Sequence, residues 1–180
     1  MGTIFVAGAY GVGKSTMCEL LSAHLCIPTY SAGDLISSIN GERYGANKAV
    51  QDKNKNQEIL TREVKRCLKQ HPTILLAGHF CIFDKQNNVE TLPKNVFESL
   101  CLESILLLEA DKAAIIQNLR HRDGKQYTDK QIEFLCREEH LSANEVSIQH
   151  SCPLYIHQMC FDESDLISCL QLLRKDGASR

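Results

Sequence analysis

The sequence predicts an α/β protein: a five-stranded, mostly parallel sheet with helices on both faces, three layers in all. Three observations predict it. Short apolar runs alternate with helical spacings five times along the 180 residues. The first run ends in a glycine-rich turn that leads directly into a helix. The composition, 43% hydrophobic and 23% charged, suits one globular domain with a single full core, expected to span 1–180.

Taken in order, TIFVA (3–7) is a short β-rich run, and KSTMCELLSAHLC (14–26) repeats apolar residues at helical spacing. Pro28 ends that helix, and PTY reads as a brief strand. A helix start follows at SAGDLISSI, bracketed by Ser31 and Asp34. Residues 40–56 are polar with glycines at 41 and 45, which predicts a mobile loop before a helix at about 55–70. TILLAG (73–78) is the next buried strand, and the stretch behind it is a loop with room for a hairpin. A helix at about 94–101, the strand SILLLEA (104–110) and the helix DKAAIIQNLRHR complete the next unit. A short polar insertion, DGKQYTD, precedes a long helix at about 128–149. PLYIH (153–157), a helix at about 164–175 with an apolar core stripe, and a disordered tail KDGASR are expected to close the chain. Right-handed crossovers between parallel strands make this a doubly wound layer structure.

A net charge of −2 offers no overall basic surface, so nucleic acid and anionic membranes are not expected partners. No run approaches the roughly 20 apolar residues of a membrane span, and no basic leader is seen, so a soluble, cytoplasmic protein is expected. The nine cysteines form no C-x-x-C pair and mostly sit in apolar periodic segments, which predicts buried, reduced thiols. Neither C-x₂₋₄-C nor H-x₃₋₅-H occurs, which argues against a zinc site. The triplet Glu138-Glu139-His140 reads as a solvated helix face.

The chemistry lies in the glycine-rich turn. Gly8-Ala9-Tyr10-Gly11-Val12-Gly13-Lys14-Ser15 matches G-x-x-x-x-G-K-[ST] in full, and Thr16 follows. Glycines let consecutive backbone N–H groups face phosphate oxygens, and the next helix adds its dipole at the same point. Lys14 then reaches the β- and γ-phosphates, and the Ser15 hydroxyl is placed for Mg²⁺. The competing reading, a turn that merely joins strand to helix, fits less well, because the motif has a strand before it and an amphipathic helix behind. The implied ligand is a nucleoside triphosphate, ATP with Mg²⁺, and the implied architecture a three-layer P-loop NTPase fold. Asn47-Lys48-Ala49-Val50 lacks the aspartate of an N-K-x-D base-recognition loop and lies too early for a GTPase. A motor ATPase needs a strand ending in Asp or Asp-Glu and an extended second region, and neither fits the remaining chain.

Gly8–Thr16, then SAGDL (31–35), then LLAGH (75–79), in that order, resemble the nucleoside monophosphate kinases. The chain is most similar to the small archaeal-type adenylate kinases and related bacterial ATP-binding proteins, over most of its length. That resemblance implies an acceptor-binding insertion at about 31–70 and a short lid at about 122–129. It implies that Ser31, Gly33 and Asp34 sit near the acceptor phosphate or the metal, although plain helix capping by Asp34 is an equal alternative. Arg43, Lys48, Gln51, Asp52 and Gln57 map loosely onto its acceptor-contacting loop, with solvated polar residues as the alternative. Arg120 and Arg122 would neutralise the transferring phosphoryl group, and Arg137 would turn back toward the same place; the alternative is an arginine-rich helix end complementing the dipole.

The departures matter as well. The position where these kinases carry a magnesium-supporting aspartate is Ala77, and an arginine just beyond the turn is replaced by Phe80, Cys81 and Ile82. His79 is retained, for a phosphate or acceptor contact or for packing beside Phe80. The leading expectation is an ATP-dependent phosphotransferase acting on a nucleoside monophosphate or similar small acceptor. Such an acceptor needs no general base, because its oxygen is already anionic at neutral pH. Two alternatives remain open: a nucleotide-binding regulatory module with little or no transfer, suggested by Ala77, and a kinase of an RNA or protein hydroxyl, with His79 or Asp34 as base.

Overall fold

The computed structural model describes residues 2–40, 53–84, 86–123 and 127–174. Strand β1 (Thr3–Ala7) is buried at every residue. It leads into α1 (Lys14–Leu25), β2 (Thr29–Ser31), α2 (Ala32–Asn40) and α3 (Lys53–Gln70). Then come β3 (Ile74–Ala77), β4 (Cys81–Phe83), β5 (Val89–Thr91), α4 (Asn95–Glu98), β6 (Leu102–Glu109) and α5 (Lys112–Asp123). The chain continues through α6 (Asp129–His150), β7 (Leu154–Gln158) and α7 (Glu163–Arg174).

Five strands form one sheet in the order β2-β3-β1-β6-β7, and every pairing in it is parallel. Phe5 and Ala7 of β1 pack on one face with Ile132, Leu135 and Val146 of α6. Ile4 and Val6 pack on the other with Met17 and Leu21 of α1 and Cys169 and Leu170 of α7. The two-residue alternation of a strand thus feeds two cores, which is why the strand sequences read as unbroken apolar runs. The predicted fold class is the one observed.

The loop after β3 does form a hairpin, β4 against β5, with Asp84 accepting from the N–H groups of Gln86 and Asn88 at its tip. The fourth helix is shorter than expected, a single turn from Asn95 to Glu98. All nine cysteines are free, as expected, but not all are buried: Cys26, Cys101 and Cys160 are exposed and Cys136 is half-buried. Burial pushes the Cys81 and Cys169 thiols up to about 12, so neither is a thiolate at neutral pH. No described helix is long and apolar enough to cross a membrane. The predicted tail and most of the predicted loop at 40–56 lie outside the described residues.

The fold sets the place of the site. Chain directions diverge at β1, because β3 lies on one side of it and β6 on the other. Open parallel sheets bind ligands beyond the carboxyl ends of the strands at such a switch point. Here those ends carry the turn after Ala7, Ser31, Gly78-His79 and Met159.

Candidate active site

The turn after β1 adopts the conformation its glycines permit. Gly8, Gly11 and Gly13 have φ of 139°, 81° and 96°. A Cβ at Gly8 would press into the Leu108 carbonyl of β6, so the close approach of the two backbones also demands glycine. Gly13 sits at the N-cap of α1 with no side-chain cap. The first-turn N–H groups of α1 have no intrahelical acceptor, and this geometry suits an anion in that position. Lys14 is buried and folds back over the loop, its Nζ donating to the carbonyls of Gly8 (2.7 Å) and Ala9 (2.8 Å). Ser15 and Thr16 are exposed beside it, while Ala9 and Val12 point into the two cores.

Two side chains that sequence reasoning missed hold this cradle. Asn118 of α5 donates to the Gly11 carbonyl at 2.9 Å. Asp165 of α7, only 2% exposed, accepts from the N–H groups of Cys160 (2.9 Å), Phe161 (2.7 Å) and Asp162 (3.2 Å) and pairs with the His157 ring (2.8 Å). Burial alone would raise the Asp165 carboxyl. The backbone N–H of Cys160, the His157 ring and the other two N–H groups outweigh it and hold the carboxyl below the usual range. These bonds order the turn that brings Met159 and Phe161 beside Gly13. No signal beyond an acidic first turn of the last helix announced Asp165, and none announced Asn118.

Glu139 is the clearest correction. It does not lie on a solvated face; at 1% exposure it takes N–H donors from Phe80 (3.1 Å to the nearer oxygen) and Cys81 (3.1 Å). His79 Nδ1 stands 3.6 Å away. The clue was available, because Ile132, Leu135, Ala143 and Val146 make a buried stripe with helical spacing and Glu139 falls on it. The neighbouring His140 does differ, pairing with Glu109 at 2.7 Å near the surface.

An aromatic stack continues from this point. The His79 ring lies on Tyr10 at 3.9 Å between centroids, Tyr10 on Phe83 at 5.6 Å, and Phe83 on Tyr127 at 5.2 Å. Burial pushes the Tyr10 hydroxyl well above its ordinary value; the Glu139 and Tyr127 charges add to this and Arg122 opposes it. Tyr10 stays a neutral phenol.

The phosphate loop, Tyr10, His79, Asn118 and Asp165 border one cavity of about 840 Å³. On one side are Gly13, Lys14, Ser15, Thr16, Met159, Phe161 and Asp162; on the other Ser31, Gly33, Ile36, Gln57, Leu60 and Phe97, with His79, Asn118 and Arg122 between. Ser31 accepts from the Asp34 N–H at 3.3 Å, the capping arrangement, and Asp34 itself is exposed and does not line the cavity. Arg120 is likewise exposed and off the cavity wall. Arg137 does not turn back: it bonds Glu138 at 3.2 Å and lies over the Phe134 ring on the outside of α6. Arg43, Lys48, Gln51 and Asp52 fall outside the described residues, as does part of the short lid.

Comparison with known proteins agrees with the fold. The family model described as AAA domain matches residues 7–135. No curated protein matches the chain. Among solved structures, the shikimate kinase from Acinetobacter baumannii in complex with shikimate superposes with a TM-score of 0.67 at 13% identity, covering 100% of this chain and 95% of that one. The gluconokinase from Sinorhizobium meliloti 1021 gives 0.63 at 14% identity, covering 99% and 94%. The shikimate kinase from Aquifex aeolicus gives 0.61 at 15%, covering 99% of both. At such identities the likeness shows the fold, that of P-loop kinases. It does not single out the archaeal-type adenylate kinases.

Proposed function

We propose that this chain, which belongs to the AAA domain family of P-loop proteins, moves the γ-phosphoryl group of ATP to a small acceptor, with a nucleoside monophosphate as the leading candidate. The observation that carries the reading is that one cavity is lined both by the phosphate cradle, Gly13 to Thr16, and by Ser31 and Gln57. Phosphoryl transfer is mainly positioning and charge neutralisation, and a single cavity lets donor and acceptor meet in line. The walls of the far half are largely apolar, with Ile36, Leu60, Leu92, Val96 and Phe97, which suits the flat face of a nucleobase better than a ring of hydroxyls.

In this reading the segment 31–70 is the acceptor insertion and 122–129 the lid that excludes water. Lys14 leaves the Gly8 and Ala9 carbonyls to meet the phosphates, and Arg122 supplies a second cation at the transferring group. Bound with the nucleotide, magnesium would shield charge on the β- and γ-phosphates. Among the described residues no group of three or more His, Cys, Asp or Glu converges on a metal, and Ala77 brings no oxygen. The donor set therefore fits an ion carried by the nucleotide's own oxygens, with the exposed Ser15 hydroxyl as its protein ligand.

A hydroxyl acceptor is the second reading. It rests on His79, which lines the cavity while its Nδ1 faces the buried Glu139 carboxylate, an arrangement that suits a general base. Shikimate, bound in the Acinetobacter baumannii shikimate kinase, carries hydroxyl groups and is an acceptor of this kind. One experiment separates the readings. The protein is incubated with ATP, Mg²⁺ and each of a panel of nucleoside monophosphates, sugar acids and shikimate, and ADP and phosphorylated products are followed by chromatography. Acceptor-dependent ADP formation with a monophosphate, lost about a thousandfold in Lys14→Ala, is the expected result. ATP binding without phosphorylation of any acceptor would leave only the regulatory module.

A further inference from the structure

The outer side of α6 carries a feature that the cavity does not use. Its inner stripe is buried in the core, yet Phe134, Leu141 and Ile148 stand on the opposite side at 42%, 49% and 79% exposure. They recur every seven residues over roughly 21 Å of helix, so they form one straight apolar ridge. Three large exposed side chains in one line are more than scattered surface hydrophobics.

The charges beside the ridge specify what covers it. Phe134 and Ile148 lie seven residues before and after Leu141, and Arg137 and Glu145 lie four before and four after. Rotated by a two-fold axis through Leu141, the ridge therefore meets itself: Phe134 falls opposite Ile148, Leu141 opposite Leu141, and Arg137 opposite Glu145, twice over. A two-fold interface requires that if one residue contacts another, the second also contacts the first, and this spacing meets the requirement for both the apolar and the charged pair.

We infer that α6 is a homodimerisation surface, on which a second copy of this chain packs its own α6 antiparallel, centred on Leu141. Within one chain Arg137 bonds Glu138 and Glu145 bonds Lys94 at 2.8 Å, both at the surface. The Arg137 guanidinium has five donors, so it keeps Glu138 while taking the partner's carboxylate. A single helix pair with three apolar residues a side is a small interface, and the contact is accordingly weak and concentration-dependent. The same helix carries Glu139 on its inner side, so the dimer stiffens the element that holds the His79 turn.

Sedimentation velocity of the full chain tests this. At about 100 μM protein, a contact with a Kd of about 10 μM leaves most chains dimeric, and dilution to about 1 μM returns them to monomer. Leu141→Glu sets two carboxylates face to face on the axis and abolishes the dimer; Leu141→Gln weakens it, and circular dichroism confirms that both variants are folded. Arg137→Glu and Glu145→Arg each place like charges opposite one another twice and weaken association about tenfold. The double variant restores opposite pairs and recovers most of the loss. A wild-type chain that stays monomeric at the highest concentration overturns the inference. So does a dimer that survives Leu141→Glu, or a double variant no better than the singles.

Discussion

The two halves of the cavity are built differently. The nucleotide half is largely backbone: three glycines with positive φ, the open N-terminus of α1, and a turn after β7 gathered by one carboxylate. The acceptor half is side-chain wall, contributed by α2, α3, the β4–β5 hairpin region and α4. A backbone cradle binds what all triphosphates share, and so one short motif suffices to build it. A side-chain wall selects by shape, and its members come from positions more than sixty residues apart, Ile36 to Phe97. The first half thus predicts a ligand and the second a preference.

Substitutions in the two halves should therefore separate chemistry, donor affinity and acceptor affinity. The largest effect is expected between the halves. Arg122→Ala should lower turnover about a hundredfold while changing the ATP Kd less than about threefold, because a cation placed for the transferring group acts mainly in the transition state. Stopped-flow transfer assays beside calorimetric ATP titration check this, and equal losses in both would move Arg122 into ground-state binding.

Asp165→Ala should act on the nucleotide half alone. Three backbone N–H groups lose their acceptor, and the turn bearing Met159 and Phe161 loosens. ATP affinity should fall about tenfold, in line with about 1–3 kcal/mol for a buried donor left without its partner. Acid should mimic the substitution. The folded-state value of Asp165 lies below its unfolded one, so its contribution is complete above the unfolded value, near pH 4, and is lost as pH falls through the lower folded value. Thermal melts between pH 7 and pH 3 should show a loss in the wild type that is smaller in Asp165→Ala.

The smallest effect belongs to the acceptor wall. Ile36→Ala, at a half-buried position, should raise the acceptor KM about fivefold and leave the ATP Kd unchanged, since about 1 kcal/mol of apolar contact is at stake. Steady-state kinetics with the acceptor varied at saturating ATP measures it. A change in ATP affinity instead would mean that the halves are coupled through Leu60 and Phe5.

The same contrast explains what could be read in advance. TIFVA, the loop Gly8–Ser15 and the helix after it are local patterns in which neighbouring residues act together, and all three stand where the sequence places them. The parallel sheet was legible for the same reason, since each buried strand announces itself as an apolar run. Arg137 and Glu139 show the limit. Two residues apart on one helix, the arginine was expected inside and the glutamate outside, and the fold has them reversed. Facing depends on helix phase against the sheet, and the buried stripe at Ile132, Leu135, Ala143 and Val146 sets that phase. A carboxylate on the stripe is tolerated only because the N–H groups of Phe80 and Cys81, about sixty residues earlier, stand ready to bond it.

By itself, then, the sequence determined the alternation of strands and helices, the phosphate cradle and the absence of a carboxylate at Ala77. Each follows from bonded neighbours or from a period within one element. Only the tertiary structure decided that Asn118 braces Gly11, that Asp165 gathers the turn beside Gly13, and that Glu139 supports the turn at His79. Each of those pairs a buried polar group with a partner from another element, and no local pattern records which donor will be left waiting when the layers close.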